Sequence, residues 1–308
     1  MAAPGGPLTA ADLDGDGFTD LVVGAPGEDI GRARDVGLQT VVWGGTGGLA
    51  TATTVGQGRE KTRAGDFDGD GHLDLATAYQ MRYGPFSRSG AAARTGPLVD
   101  LDVRVYAMEA GDVDGDGTTD PLVSRSDVVF GRSTAAGGGL VGVVRGTANG
   151  FAARATLIGQ NTRGVPGAGE SGDRFGTDVS VGDITGDGYA DVVTGVPGED
   201  LAGRTDAGTF AVLRGGSTGL SGTRIQVFSQ NTAGVPGTAE NDDRFGSRTA
   251  VVGGHVAVSA PEENSGSGAV WVFPGTASGV TATRSVSFGP RTLAAPVSGA
   301  RFGAAFHR

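Results

Sequence analysis

The sequence predicts an all-β protein, on the basis of its strand-length runs, its glycine content and the lack of helical periodicity. Short runs of β-branched or alternating residues are bounded by Gly or Pro along the chain, as strands are. No capped run with the 3.6-residue apolar period of a helix is found. Glycine makes up 59 of 308 residues, without a Gly-X-Y period, which favours a turn-rich β fold. The clearest strand-like runs are Leu38–Trp43, Leu140–Val144, Thr209–Leu213, Val256–Ser259 and Ala269–Phe273.

An acidic motif of nine residues occurs four times and defines the repeat. Its copies begin at Asp12, Asp66, Asp112 and Asp183, at spacings of 54, 46 and 71 residues. The first three copies read Asp-x-Asp-Gly-Asp-Gly-x-x-Asp, and the fourth has Thr185 at its third position. A strand-like run follows each copy. About four short strands repeated at this interval are typical of a blade of a β-propeller rather than of a solenoid turn.

The acidic motif predicts a calcium-binding loop. Four carboxylates held this close would repel one another without a cation. Oxygen ligands in this number suit Ca²⁺, with the carbonyl of position 7 as a further ligand, and Gly at positions 4 and 6 permits positive φ. The alternative, a solvated Asp/Gly turn, explains one such stretch but not four with the same spacing. An EF-hand is excluded because its position 12 must be Glu before a helix, whereas here position 12 of the first copy is Val23 in a strand-like run.

We therefore expect up to four Ca²⁺ ions, and the Asp183 site should be the weakest because it lacks one carboxylate. The predicted ligands are Asp12, Asp14, Asp16, Phe18 and Asp20; Asp66, Asp68, Asp70, His72 and Asp74; Asp112, Asp114, Asp116, Thr118 and Asp120; and Asp183, Thr185, Asp187, Tyr189 and Asp191.

Other recurring markers divide the chain into five recognisable units, called repeats 1 to 5 below. An Arg-Phe-Gly marker occurs at 174–176, 244–246 and 301–303, and a Pro-containing marker such as Gly24-Ala-Pro26 follows the loop. Repeat 5 has Val251–Val256 where the acidic loop should stand, so it is predicted to bind no metal. We expect one domain over 1–308, with repeats near 1–55, 56–105, 106–170, 171–240 and 241–299 and a closing strand over 300–308.

The order Phe-Gly, acidic loop, strand, Gly-Ala-Pro resembles the FG-GAP repeat of integrin α-chain β-propellers. It is most similar to secreted bacterial proteins with FG-GAP or VCBS-type repeats, and the likeness extends over nearly the whole chain. The resemblance implies a seven-bladed, calcium-stabilised propeller, extracellular or at the cell surface, that serves in adhesion or ligand binding. Only five repeats are recognisable here, and the first lacks a Phe-Gly strand. Either the ring closes with five blades, or leading blades and a signal peptide have been lost, which we favour.

Charge and hydropathy narrow the class of partner. Of the 34 acidic residues, 15 lie in the four loops, so the net charge of −10 reflects the metal sites. Without a basic cluster, nucleic-acid binding is not expected. No run approaches the ~18 apolar residues of a membrane span, and the start shows no signal-peptide pattern.

Motifs that could indicate catalysis have simpler explanations. Gly215–Gly219 fits the G-x-S-x-G nucleophile-elbow pattern around Ser217, but that elbow requires a strand, a turn and a helix. This stretch is also one of several similar Gly-rich turn segments that recur along the chain. None of His72, His255 and His307 has a plausible partner for acid–base chemistry, and Trp43 and Trp271 are expected in the core. We therefore expect no enzymatic activity.

One further acidic marker recurs as Glu28-Asp29, Glu199-Asp200 and Glu262-Glu263. Its simpler interpretation is a solvated turn, and the alternative is a surface that attracts cations or a basic partner.

The sequence thus predicts a calcium-binding, non-enzymatic extracellular propeller that acts as an adhesion, ligand-binding or scaffold module. One alternative is a carbohydrate-binding, lectin-like propeller, and another is the propeller part of a secreted hydrolase or lyase. We expect a protein or glycan ligand and a monomeric chain.

Overall fold

The computed structural model describes residues 8–34, 36–58, 61–77, 80–97, 107–125, 128–129, 132–133, 137–152 and 154–306. These residues form strands and turns almost throughout, so the all-β prediction is confirmed. The chain divides into compact unit 1 (residues 1–110, 117–122 and 144–155) and compact unit 2 (residues 111–116, 123–143 and 156–308). In the part of the chain that is described, no helix is long and apolar enough to span a membrane.

Compact unit 1 contains two antiparallel sheets, each with four strands in chain order, as in a propeller blade. Each acidic loop closes a hairpin between the first two strands, where Ala11 pairs with Asp20 and Gly65 pairs with Asp74. The core includes Leu13, Val41 and Trp43. The strands are β1 (Leu8–Ala11), β2 (Asp20–Ala25), β3 (Leu38–Trp43), β4 (Thr51–Gln57), β5 (Thr62–Gly65), β6 (Asp74–Thr77), β7 (Gln80–Tyr83) and β8 (Arg94–Pro97).

The next strands belong to repeat 3. They are β9 (Met108–Gly111), β10 (Asp120–Arg125), β11 (Val128–Val129), β12 (Arg132–Ser133), β13 (Leu140–Val143), β14 (Gly146–Thr147), β15 (Gly150–Phe151) and β16 (Thr156–Ile158). β9, β10, β13 and β16 form a four-stranded sheet, and the others pair as two short hairpins. The antiparallel β13–β16 pair lies wholly within compact unit 2.

Compact unit 2 contains the sheets of repeats 4 and 5, with four and five strands. Aromatic side chains fill its core, where Phe245 of the Phe-Gly marker packs edge-on against Trp271 with ring centroids 5.1 Å apart. The strands are β17 (Val179–Gly182), β18 (Asp191–Val196), β19 (Thr209–Leu213), β20 (Gln226–Phe228), β21 (Arg248–Val252), β22 (His255–Ala260), β23 (Ala269–Thr276), β24 (Gly279–Val280) and β25 (Val286–Phe288).

One short turn, α1 (Glu263–Gly266), follows β22. Its residues Asn264 and Ser265 have φ of 54° and 58°, so it is a left-handed turn rather than a regular helix.

A tight hairpin stands where repeat 5 lacks the acidic loop. Val252 pairs with His255, which leaves Gly253 and Gly254 as the turn. Both glycines have positive φ, 55° and 73°, which is what a two-residue turn between twisted strands requires.

The expected closing strand over 300–308 is not what the described residues form. Residues 300–306 make turns, and β25 is the outer strand that pairs with β23. Arg301 and Gly303 have φ of 46° and 84°, a left-handed conformation that a strand cannot contain. His307 lies outside the described residues.

Candidate metal centre

The first aspartate of each acidic loop folds the backbone around its own carboxylate. In the second loop, Asp66 Oδ1 accepts hydrogen bonds from the amides of Gly69 (2.7 Å) and Asp70 (3.1 Å), and Oδ2 accepts one from Gly71 (2.9 Å). Asp183 makes the same three bonds in the fourth loop, at 2.7 to 3.2 Å. Gly69 and Gly71 have φ of 72° and 86°, so the predicted positive φ at positions 4 and 6 is confirmed.

The ninth aspartate joins the loop to its own sheet. Asp20 Oδ2 accepts the amide of Leu13 (2.9 Å), and Oδ1 accepts the amide of Gly44 at the end of the third strand (2.7 Å). Asp74 and Asp191 repeat both bonds. All three carboxylates are fully buried, and burial raises the pKa of Asp74 to about 6. A nearby cation would favour the charged form of such a carboxylate.

The predicted ligands converge in the first two loops. Carboxylate oxygens of three aspartates lie within 4.8 Å of one another at positions 1, 3 and 9 of the first loop and at positions 1, 3 and 5 of the second. The two trios are Asp12, Asp14 and Asp20, and Asp66, Asp68 and Asp70.

The third loop is divided between the two compact units. Asp112, Asp114 and Asp116 belong to compact unit 2, and Thr118 and Asp120 to compact unit 1. Each part repeats the pattern of the other loops. Gly115 donates its amide to Asp112 Oδ1 (2.6 Å), and Gly146 donates its amide to Asp120 Oδ1 (2.8 Å).

The fourth loop brings fewer carboxylates together. Among the described residues, Asp183, Asp187 and Asp191 do not form a trio within 4.8 Å. Position 3 is Thr185, whose neutral hydroxyl is a weaker calcium ligand than a carboxylate. That this site is the weakest stays a prediction.

The seventh residues of the loops were predicted to offer backbone carbonyls. The amides of Phe18, His72 and Tyr189 donate to the position-5 carboxylate of their own loop, at 3.0, 2.9 and 3.2 Å. These bonds hold positions 5 and 7 together in the first, second and fourth loops.

One oxygen at position 3 is buried without a hydrogen-bond partner in three of the loops. Asp14 Oδ1, Asp68 Oδ1 and Thr185 Oγ1 are buried and accept no hydrogen bond. A buried polar atom without a partner costs about 1–3 kcal/mol. The same position in three loops therefore presents an oxygen that a bound Ca²⁺ would satisfy.

Arginines also contact the loop carboxylates, and sequence reasoning missed them. Arg88 Nε lies 2.6 Å from Asp14 Oδ2, and the same guanidinium contacts Asp16. Arg94 pairs with Asp68, and Arg214 Nη2 lies 3.1 Å from Asp187 Oδ2. Arg88 could not be found from the motif because it is 74 residues from Asp14. Arg214 was detectable, since it immediately precedes the glycine that binds the ninth aspartate.

The candidate catalytic residues occupy structural positions. Ser217 lies in an exposed turn after β19, and no helix follows it. His72 and His255 are exposed, and His255 Nδ1 lies 3.0 Å from the carbonyl oxygen of Gly253. Trp43 and Trp271 are 1% and 2% exposed, so their prediction as core residues is confirmed.

The recurring acidic marker after the loop is not uniformly solvated. Glu28 is exposed, as expected, but Glu199 is half-buried and Glu263 is only 8% exposed. The solvated-turn interpretation is therefore wrong for Glu263. Gln160 Nε2 donates to Glu199 Oε2 (2.5 Å), and Gln230 Nε2 donates to Glu263 Oε2 (2.7 Å). The sequence signal for this arrangement was the duplicated run Gln-Asn-Thr-x-Gly-Val-Pro-Gly, which begins at Gln160 and again at Gln230.

Comparison with known proteins supports the repeat assignment. The FG-GAP repeat family model matches residues 8–42 and 175–213, which contain the first and fourth loops. No curated protein matches the chain.

Similar solved structures include the V. cholerae biofilm matrix protein Bap1, at 17% identity over 67% of this chain and 26% of that chain (TM-score 0.34). Two others are the exotype rhamnogalacturonan lyase YesX, at 12% identity over 94% and 51% (TM-score 0.36), and the rhamnogalacturonan lyase YesW, at 11% over 89% and 65% (TM-score 0.34). This chain spans about a quarter, a half and two thirds of their respective lengths.

Proposed function

We propose that this chain, which contains FG-GAP repeats, is a calcium-stabilised, non-enzymatic β-propeller module that binds a ligand or serves as a scaffold outside the cell. The observation that carries the proposal is the buried, unpartnered oxygen at position 3 of three loops. Carboxylate trios in the first two loops surround the same position. Hard oxygen donors in this arrangement are the ligands that Ca²⁺ prefers.

Calcium would act through the connections between neighbouring loops. Within compact unit 1, the amide of Thr119 in the third loop donates to the carbonyl of Asp66 in the second (2.7 Å). Within compact unit 2, the amide of Ala190 in the fourth loop donates to the carbonyl of Asp112 in the third (2.8 Å). An ion that holds the first residue of one loop in place would therefore also restrain the next loop through this hydrogen bond.

An extracellular location follows from the same chemistry. Extracellular modules bind Ca²⁺ with dissociation constants of about 10⁻⁴–10⁻³ M, which suits these partly exposed loops. The partner would be a protein or a glycan. The position of Ser217 in an exposed turn supports a module without catalytic activity.

Calorimetric titration of the chelated chain with Ca²⁺ tests the metal sites, with thermal unfolding measured alongside. A ligand that binds only the folded state at a hundredfold excess over Kd stabilises it by about 2.7 kcal/mol per site. We expect calcium to raise the melting temperature and Mg²⁺ to raise it less, because Mg²⁺ demands a stricter octahedral geometry. Identical melting curves in calcium and in EDTA would refute the proposal.

Asp68→Asn probes a single site, because it neutralises the position-3 ligand of the second loop. We expect this variant to bind one ion fewer than the parent. A glycan array with the calcium-loaded chain tests the ligand class, and a defined sugar preference would favour the lectin-like alternative over a protein-binding scaffold.

A further inference from the structure

A second type of polar cluster occurs twice in compact unit 2, apart from the acidic loops. Its first copy consists of Gln160, Asp173 and Glu199, and its second copy of Gln230, Asp243 and Glu263. In each copy the glutamine lies 13 residues before the aspartate. The aspartate in turn immediately precedes the Arg-Phe-Gly marker. The repeat therefore builds the same arrangement from the same three residue types.

Each cluster gathers carboxylates that are buried or, for Glu199, half-buried. Asp243 and Glu263 are 2% and 8% exposed, and their carboxyl groups lie close enough to act on each other. The charges that act most strongly on Glu263 are those of Asp243 and Glu240, which are also acidic. Because neighbouring carboxylates repel each other, they cannot all be charged at once unless a proton or a cation lies among them.

The glutamines identify a cation as the missing partner. Gln160 and Gln230 are 5% and 2% exposed, and the Oε1 atom of each accepts no hydrogen bond. In each glutamine, Nε2 donates a hydrogen bond to the glutamate of its cluster, and this bond fixes the orientation of the side-chain amide. A proton shared between the carboxyl groups would leave these buried oxygens unsatisfied, whereas a cation would satisfy them.

The first copy shows that the amide oxygen is directed into the cluster. Gln160 Oε1 and Asp173 Oδ2 lie 2.7 and 3.4 Å from one common point, the place that a Cβ atom on Gly138 would occupy. Gly138 has φ of 87°, and a side chain there would press against Gln160 Oε1. The amide oxygen and the carboxylate oxygen therefore both lie beside Gly138, at one edge of the cluster.

Other parts of the chain provide an internal comparison. The run that follows β25 retains Arg301-Phe-Gly303 but has Pro290 at the glutamine position and Ala300 at the aspartate position. In this run both polar residues of the cluster are therefore replaced by residues without a polar side chain. Glu28 occupies the glutamate position in repeat 1 and is exposed. Among the described residues, the glutamate is half-buried (Glu199) or buried (Glu263) in the two repeats where both partners are in place.

We propose that Gln230, Asp243 and Glu263, and likewise Gln160, Asp173 and Glu199, form a second class of cation site that takes a hard divalent ion such as Ca²⁺. Each site offers two carboxylates and one amide oxygen, the hard donors that such an ion prefers. Glu263 also lines a cavity of about 550 Å³, together with Asn264 and Trp271. The cavity gives an ion a route from solvent to the second copy.

Terbium luminescence tests this site separately from the loops. Tb³⁺ replaces Ca²⁺ and emits when a nearby indole is excited. The ring of Trp271 and Gln230 Nε2 lie 3.8 and 3.6 Å from the point that a Cβ on Gly237 would occupy, so Trp271 is beside the proposed ion. The chain has two tryptophans, so Trp43→Phe leaves Trp271 as the sole indole. Excitation at the long-wavelength edge of indole absorption avoids the four tyrosines.

In the Trp43→Phe chain we expect tryptophan-sensitised Tb³⁺ emission that Gln230→Leu and Glu263→Gln each abolish. The matched control is Gln160→Leu, which alters the other copy and should retain the emission. Asp187→Asn, in the fourth loop, should also retain it. Full emission in both the Gln230→Leu and Glu263→Gln chains would overturn the proposal.

Thermal unfolding in EDTA shows whether these variants remain folded. Glu263→Gln removes one negative charge from a repulsive group, but it also leaves one of the two donors, Gln230 or Asn264, without an acceptor, so we expect a cooperative transition with a melting temperature close to that of the parent. Loss of the cooperative transition in EDTA would show that the missing emission reflects unfolding, and Gln230→Leu would then decide the proposal. Calorimetric calcium binding by the loops is a separate readout, so loss of the cluster site with intact loop binding distinguishes the two proposals.

Discussion

Gly195 in β18 and Gly246 of the following Phe-Gly marker touch backbone to backbone. A Cβ atom on Gly195 would lie 1.8 Å from the carbonyl oxygen of Gly246. Because the Cβ atom would meet backbone atoms, no side-chain rotation could relieve the clash, and the strand would have to move. The glycines of the Pro-containing and Phe-Gly markers are therefore required because successive repeats meet there.

Gly195→Ala should lower the free energy of unfolding by about 3 kcal/mol or more, since overpacking against backbone cannot be relieved by a rotamer change. Chemical denaturation in calcium measures the change. Gly27→Ala is the control, because a Cβ there meets nothing within 4 Å. Equal, small effects of both substitutions would contradict the packing argument.

Asp191→Asn should destabilise the chain even without calcium. Both carboxylate oxygens of Asp191 accept backbone amides, from Ile184 and Gly215, and an amide side chain can accept only one of them. The unpaired donor should cost about 1–3 kcal/mol, measured by denaturant unfolding in EDTA. Asp187→Asn, at the exposed position 5, should have a smaller effect in EDTA. If the two variants were equally stable, the two backbone hydrogen bonds of the ninth aspartate would not have the stabilising role assigned to them.

Thr185→Asp should strengthen the fourth calcium site. The substitution restores the carboxylate of the other loops at a position whose oxygen is buried and unpartnered. We expect tighter calcium binding and lower stability in EDTA, because the added charge is repelled when no ion is bound. Calorimetry and melting curves measure the two effects. Thr218→Asp, in an exposed turn, controls for the added charge, and a similar response from it would refute the assignment.

Arg88→Gln should make the chain more dependent on calcium. Arg88 contacts Asp14 and Asp16 and donates to the carbonyl of Gly44, so its charge offsets part of the repulsion in the first loop. The side chain is 46% exposed, so solvent screening should keep the loss of stability in EDTA small. The calcium-induced rise in melting temperature should increase. A rise no larger than in the parent would indicate that Arg88 does not act on the metal site.

The metal-free chain should lose stability as the pH rises from about 4.5 to 7. Burial, followed by the charge of Asp243, raises the pKa of Glu263 from 4.5 to about 7. The folded state therefore holds this proton more tightly than the unfolded state, and the stabilisation is lost as the pH rises through the folded pKa. The total should be on the order of 1–3 kcal/mol.

Denaturant unfolding in EDTA between pH 4.5 and 8 measures this dependence. Glu263→Gln should flatten it, whereas Glu28→Gln should not, because Glu28 is exposed. An unchanged slope in Glu263→Gln would assign the pH dependence to other groups.

The sequence by itself determined the all-β architecture and the acidic loops. These features are local. Asp66 binds amides three to five residues away, and the glycines of the loop adopt the positive φ that their positions require. The missing loop of repeat 5 was equally readable, because a Gly-Gly pair between two strands permits only a tight hairpin.

Tertiary structure alone decided which groups meet from distant parts of the chain. Arg88 reaches Asp14 across 74 residues, and Gln230 meets Glu263 across 33. No local pattern specifies such distances, because they depend on how strands of successive repeats pack. Whether a carboxylate is solvated or buried depends on the same packing, as the exposed Glu28 and the buried Glu263 show in equivalent positions.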